Sequence, residues 1–196
     1  MKRIFDFTVS LLLIIALIPV FLIIALVVLI DSGYPVIFKQ YRVGKDNKLF
    51  YIYKFRTMKV NTRNTATEDL KEADSVITKS GRILRKTSLD ELPQLFNVLA
   101  GKMSFVGPRP LIPEEKEIRQ IRKELGVYSV RPGITGLAQV NGRDMLSAKE
   151  KALFDKEYVE KQSVLFDIKI MFKTVLVVLK RENIAEGGEA GNSRKV

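Results

Sequence analysis

The chain contains no histidine and no cysteine among its 196 residues. Without cysteine there are no disulfides and no thiolate metal sites. Without histidine the commonest general base and metal ligand is missing, which excludes Ser-His triads and zinc hydrolases of the usual kind. Acid–base or nucleophilic chemistry therefore falls to carboxylates, lysine, tyrosine or hydroxyl groups. Acidic residues are also in deficit: 22 Asp and Glu face 33 Lys and Arg, a net charge of +11. Such a surplus favours anionic partners, whether phosphates, acidic lipid head groups or nucleic acid. Hydrophobic residues make up 46% of the chain, enough for a compact core and an apolar segment, and the length suits one domain plus an anchor.

Charge is missing altogether from Phe7 to Ile30, where only Thr8 and Ser10 are polar. About 24 residues of helix extend roughly 36 Å, against a hydrocarbon core of about 30 Å. The run ends at Asp31-Ser32-Gly33-Tyr34-Pro35, which lacks the small-residue pattern of a signal-peptide cleavage site, so the segment is expected to be retained. Lys2 and Arg3 precede it and Lys39, Arg42, Lys45 and Lys48 follow. Basic residues on both flanks give the positive-inside rule conflicting instructions. Pro19, mid-segment, removes a backbone donor and bends the helix. Two topologies satisfy these features: a spanning helix with a tolerated proline, and a helix that turns back so that both ends lie on the cytoplasmic face.

Residues 36–43 and 49–57 are rich in β-branched and aromatic side chains, and Gly44-Lys45-Asp46-Asn47 between them is turn chemistry, so a β-hairpin is predicted. Residues 59–77 read as a polar loop leading into a short helix. Residues 83–99 read as helix with breaks around Ser88 and Pro93, ended by Gly101. Residues 106–110 are held extended by Pro108 and Pro110. A charged, solvated helix is predicted over 114–125, an ordered glycine-rich loop over 130–143, and a helix over 147–159 opened by a Ser147–Glu150 capping box. The last helix, 164–180, carries Leu165, Ile168, Phe172, Val175, Leu176 and Leu179 on one face. That stripe either packs into the core or lies in a lipid interface. Residues 186–196 read as a flexible tail.

Within Thr87-Ser88-Leu89-Asp90-Glu91-Leu92-Pro93-Gln94, Ser88 and Glu91 fit a structural capping box. That register puts Pro93 where it breaks a helical hydrogen bond. Moving the cap to Asp90 places Pro93 in the first turn, where proline is tolerated, and sets a carboxylate at a helix N-terminus able to hold a phosphate. Without histidine, an adjacent Asp-Glu pair suits phosphoryl transfer. One carboxylate can attack phosphorus to give an acyl phosphate, and its neighbour can bind Mg²⁺ or handle a proton. Such pairs also abound on helix surfaces. Lys54, Arg56, Arg82, Arg85, Arg109, Arg131 and Arg143 are candidate phosphate ligands, arginine above all for its bidentate fork. Each alone reads equally as a solvated surface charge; Arg109, clamped between two prolines, is the hardest to read that way.

Taken together, the motifs closely resemble the bacterial sugar transferases, the small monotopic polyprenol-phosphate phosphoglycosyl transferases. The matching stretches are Lys2-Arg3-Ile4-Phe5-Asp6, Lys54-Phe55-Arg56-Thr57-Met58, Ser88-Leu89-Asp90-Glu91-Leu92, residues 103–110, Arg131-Pro132-Gly133-Ile134-Thr135-Gly136 and residues 138–143. They fall in the family's order and cover residue 2 to about 181. One pattern departs: many members carry Ser-Pro at the membrane-helix break, where this chain has Ile18-Pro19. With one apolar segment, the chain looks like the small members and not like larger relatives with extra spanning helices.

The resemblance implies a helix-rich α+β monotopic membrane protein with a re-entrant N-terminal helix broken at Pro19, a small β-hairpin and interfacial amphipathic helices. It implies a membrane segment over 1–34, a cytoplasmic catalytic domain over 35–185 and the tail over 186–196, placed on the bacterial inner membrane. Asp90 would attack the phosphate adjoining the sugar of a UDP-sugar, releasing UMP; polyprenol phosphate would then take the phosphosugar. Glu91 would complete the dyad, Mg²⁺ would sit at the pair, and Arg143 would hold a substrate phosphate, with Lys54, Arg85 and Arg109 lining the site and Arg131 and Arg56 as further candidates. Partners would be the UDP-sugar, polyprenol phosphate and inner-membrane lipids, with no nucleic acid; a homo-oligomer stays open. Two competing readings are a membrane-anchored basic scaffold for anionic lipid or nucleic acid, and a hydrolase that passes the aspartyl-bound group to water. Nothing in the sequence identifies the sugar.

Overall fold

The apolar segment forms a single helix, α1, over Lys2–Ser32, and the helical backbone continues through Pro19. The computed structural model describes residues 1–60, 76–142 and 145–180. At about 1.5 Å per residue, 31 helical residues would reach about 46 Å if straight. Pro19 has no N–H for the carbonyl four residues earlier, at Ile15, which weakens the helix there. Most of the apolar side chains of α1 are exposed, including Leu12, Ile15, Leu22 and Ile23.

Both ends of α1 are nonetheless bound to the rest of the protein. Near its start, Arg3 donates to the carbonyls of Val98 (2.7 Å) and Leu99 (2.6 Å). Lys2 pairs with Asp167, and Asp6, only 1% exposed, accepts from Ser104 Oγ at 3.2 Å. Near its end, Asp31 accepts from the backbone N–H and hydroxyl of Ser80 (2.7 and 2.6 Å), and Ser32 Oγ donates to the Met58 carbonyl. There Ile24 and Val28 join Phe55 and Leu84 in a shared apolar cluster.

The predicted hairpin forms. Strands β1 (Ile37–Val43) and β2 (Leu49–Phe55) pair antiparallel with Ile37 opposite Phe55 and Val43 opposite Leu49. Asp46 and Asn47 in the turn take positive φ (55° and 57°), a conformation these short polar residues tolerate better than most. Helix α2 covers Lys79–Lys86, a 3-10 turn Leu89–Glu91 follows, and α3 covers Gln94–Leu99, so the two expected breaks are present. Gly101 ends this stretch at φ 72°. Asn97, buried on α3, clasps β2: its side chain accepts from Tyr53 N (3.1 Å) and donates to the Tyr51 carbonyl (2.7 Å).

Strand β3 (Ser104–Val106) pairs in parallel with β4 (Gly133–Thr135). Gly107, Gly133 and Gly136 sit backbone against backbone here; a Cβ on any of them would meet a main-chain atom at well under 3.0 Å. The glycines of the two motifs are thus explained by close approach. Helix α4 (Lys116–Glu124), the short α5 (Leu137–Val140), α6 (Ala148–Lys161) and α7 (Val164–Lys180) complete the fold. Both bonds of the Ser147–Glu150 capping box are made. The helix expected to be solvated, α4, buries Ile118 and Arg122, and Arg122 pairs with buried Asp155 of α6 at 2.5 Å. Val106, Leu137, Val140, Tyr158 and Ile170 form the core beside it.

The stripe predicted on helix α7 faces outward at Leu165, Ile168, Phe172, Val175 and Leu176, with Leu165 80% and Phe172 67% exposed. Among the described side chains of α7, Asp167 and Ile170 are buried. Tyr158 donates to Asp167 Oδ1 (2.8 Å), and burial pushes its phenol well above the ordinary value. The result is a helix-rich α+β fold with two small sheets among the described residues and one long apolar N-terminal helix. The predicted loop over 59–77 lies mostly, and the tail over 186–196 wholly, outside the described residues.

Candidate active site

The Asp-Glu pair is positioned by the α2–α3 junction. Thr78 caps α2 by accepting from Gly81 N (3.0 Å), and Gly81 lies so close to the Thr57 carbonyl that a Cβ would collide with it. This packs α2 on the end of the hairpin and lets Arg85 Nε donate to Thr57 Oγ1 at 2.9 Å. The chain then reverses at Ser88, which takes a left-handed conformation (φ 56°) that a non-glycine residue holds only when its surroundings impose it.

Neither helix register drawn from the sequence survives. Ser88 makes no side-chain cap, Asp90 lies inside the 3-10 turn instead of capping a helix, and Pro93 itself precedes the first residue of α3. The reason is the positive φ of Ser88, which turns the following three residues into a separate tight turn. The consequence is a buried Asp90, 7% exposed, beside a more open Glu91.

Lys54 reaches both carboxylates from β2: its Nζ lies 2.6 Å from Glu91 Oε1 and 3.9 Å from Asp90 Oδ2. Burial raises the Asp90 carboxyl above its ordinary value, with Glu91 acting in the same direction, while Lys54 and Arg85 oppose the shift. Asp90 is thus a desolvated carboxylate kept ionisable by two cations, the condition that favours a reactive nucleophile. Because a carboxylate attacks only when deprotonated, activity depending on Asp90 should rise with pH through this raised pKa. Replacing Lys54 by methionine removes the larger opposing charge. The acid limb of the kcat/KM profile is then expected to move to higher pH; an unmoved limb in a folded Lys54→Met variant would refute this pairing.

The remaining candidates divide. Arg85 stands next to the pair. Arg109 is exposed on the Pro108–Pro110 segment, with its carbonyl held by Arg122 Nη1 at 2.7 Å. Arg56 donates from Nε to the Pro35 carbonyl (2.8 Å), and Arg131 from Nε to the Gly101 carbonyl (2.8 Å). Gly101 lies past the C-terminal end of α3, the end opposite the dyad. Arg143 lies outside the described residues. Arg42 was not singled out by the sequence reading, yet the register places it opposite Phe50 on the same hairpin face as Lys54, and its charge bears on Arg109 and Glu91. Strand alternation from Lys54 was the signal that could have found it.

Among the described residues no cluster of three or more carboxylates exists, so an all-protein cage for a metal is not formed there. Asp90 and Glu91 do fit Mg²⁺, which commonly takes one or two carboxylates and draws its other ligands from phosphate oxygens and water.

Residues 1–181 match the family described as bacterial sugar transferase. The chain is 44% identical over 182 residues to the UDP-glucose:undecaprenyl-phosphate glucose-1-phosphate transferase of Escherichia coli K12, covering 89% of this chain and 39% of that protein. It is 41% identical over 198 residues to the undecaprenyl-phosphate galactose phosphotransferase of Salmonella typhimurium, covering 93% and 41%. It is 41% identical over 186 residues to the uncharacterized sugar transferase EpsL of Bacillus subtilis, covering 95% and 91%. The chain thus spans about two fifths of the first two relatives and nearly all of the third. With its motifs, its fold and a match over almost its full length in agreement, the chain belongs to the bacterial sugar transferase family.

Proposed function

We propose that the protein transfers a phosphosugar from a UDP-sugar to polyprenol phosphate at the cytoplasmic face of the bacterial inner membrane, in two steps through Asp90. In the first, an Asp90 carboxylate oxygen bonds to the phosphorus that bears the sugar, the bridging P–O bond breaks, and its electron pair leaves with UMP. In the second, a phosphate oxygen of the polyprenol carrier attacks that phosphorus and the bond to Asp90 breaks, giving polyprenol-diphosphate sugar and the free carboxylate. The observation that carries this reading is the buried Asp90 flanked by Lys54 and Arg85. Lys54 offsets the charge of both carboxylates, so an anionic nucleophile can approach an anionic phosphate. Glu91 holds Lys54 in place. Mg²⁺ held by Asp90 and Glu91 would supply further charge neutralisation at the transferring phosphate.

The re-entrant topology is part of this proposal. A straight spanning helix would put its ends on opposite sides of the bilayer, but Arg3 and Ser32 both bond to one folded body. Pro19 near the middle and the outward apolar stripe of α7 support a helix that dips into one leaflet while α7 lies on its surface. The division into a membrane segment (1–34) and a catalytic domain (35–185) follows the same reading.

UMP release from a panel of UDP-sugars, with and without polyprenol phosphate, tests the scheme. One UMP per enzyme is expected without acceptor and continuous release with it, both reversibly stopped by EDTA. Free sugar phosphate would identify a hydrolase instead, and no UMP from any donor would leave the scaffold reading. Full activity in excess EDTA would remove Mg²⁺ from the scheme.

A further inference from the structure

Arg42 is an arginine in a costly position. It projects from the hairpin face that buries Phe50 and Ile52, and its Nη1 is buried with no hydrogen-bond partner among the described residues. Burial, followed by the charge of Arg109, lowers its guanidinium to about 10, while Glu115, Glu114 and Glu91 act in the other direction. Glu115 accepts from Ile112 N at 2.7 Å and Glu91 from Lys54 at 2.6 Å. A buried N–H lacking an acceptor, next to a second cation, is a liability in the free protein and an asset if an anion arrives.

Two contacts hold the cations together. Val43 N donates to the Leu111 carbonyl at 2.9 Å, fastening the end of β1 to the Pro108–Leu111 segment. Arg122, paired with Asp155, bonds the Arg109 carbonyl. The site is also at the right end of the hairpin for a water-soluble ligand. Phe55 packs on Phe21, Ile24 and Val28 of α1. Arg42 is opposite Phe50, five residues along the strand, roughly 17 Å away. Lys54 lies between, next to the carboxylates.

We propose that Arg42, with Arg109, grips the nucleotide-side phosphate of the UDP-sugar, the group that departs as UMP. This rests on the transferase reading above. As the bridging P–O bond breaks, its electron pair stays on the UMP phosphate, whose charge grows; two guanidinium groups there offset it while Asp90 forms the new bond to the other phosphorus.

The test uses Arg42→Met and Arg42→Lys in the full-length protein, purified in one membrane mimetic, with UMP and a short polyprenyl phosphate as separate probes. Arg42→Met is expected to weaken UMP binding about 10- to 100-fold, the loss of a charged hydrogen-bond pair. Arg42→Lys, which keeps the charge but not the fork, should fall between. Single-turnover UMP release should slow in the same order, and affinity for the polyprenyl phosphate should hold. The ligand-free thermal midpoint of Arg42→Met should equal or exceed that of wild type, because a half-buried guanidinium with a buried, unpaired N–H has been removed; a purely structural arginine would lower it. UMP binding within twofold of wild type in both variants, or a loss confined to the lipid phosphate, overturns the assignment. If wild type releases no UMP from any donor, the failure belongs to the transferase reading instead.

Discussion

Replacing Asp90 by asparagine is expected to reduce turnover by on the order of 10⁴-fold or more, the scale on which catalysis collapses when a nucleophile is removed. The fold should not suffer. Asp90 has a folded pKa above its unfolded value, so the folded protein binds its proton more tightly. Its contribution to stability is greatest below the unfolded value of 3.8 and is lost as pH rises through the folded value. At neutral pH the ionised side chain therefore costs stability, and the neutral amide relieves that cost. Thermal melts of Asp90→Asn at pH 7 should give a midpoint equal to or above wild type, and membrane extraction should be unchanged. An inactive variant that also melts far lower would reassign Asp90 to the structure; a robustly active one would end its role as nucleophile.

The second large effect is expected at Gly133, in the β3–β4 pairing. A methyl group there would press on Gly107 N, the Thr135 carbonyl and the Val106 carbonyl carbon. All three are main chain, so none can swing aside, and the β3–β4 pairing would have to open. Gly133→Ala is expected to cost about 3 kcal/mol or more, a large share of the typical 5–15 kcal/mol of a folded domain. Gly126→Ala is the control: its φ is positive (69°) but a Cβ meets nothing within 4 Å. Strain alone should cost it about 1–2 kcal/mol. Thermal midpoints in one detergent measure both, and a Gly133→Ala protein that melts with wild type would show that the backbones can part freely.

Local chemistry made much of this architecture legible in advance. The hairpin, the Ser147 cap, the breaks at Ser88 and Pro93 and the stop at Gly101 each depend on neighbours a few residues away. What escaped depends on partners distant in sequence. Arg56, Arg131 and Arg3 look alike in a list of basic residues, yet each spends donors on a carbonyl that only the fold brings near. The break at Ser88 was legible, but the register at Asp90 was not, because Ser88 takes a left-handed conformation (φ 56°) that serine rarely adopts and that turns the next residues into a separate tight turn. The α7 stripe had two readings because lipid and protein core select the same apolar side chains. Arg42 was passed over because it belongs to no eye-catching motif; only strand pairing links it to Lys54.

The attachment of α1 has a practical corollary. Ile24 and Val28 are each worth roughly 1.5–3 kcal/mol of core burial, and Arg3 closes the exposed carbonyls at the end of α3. The hydrophobic helix is therefore as much a beam of the building as its mooring. Cutting the chain after it would not liberate a soluble enzyme but remove part of the apolar cluster against which Leu89 and Leu92, on either side of Asp90 and Glu91, are packed.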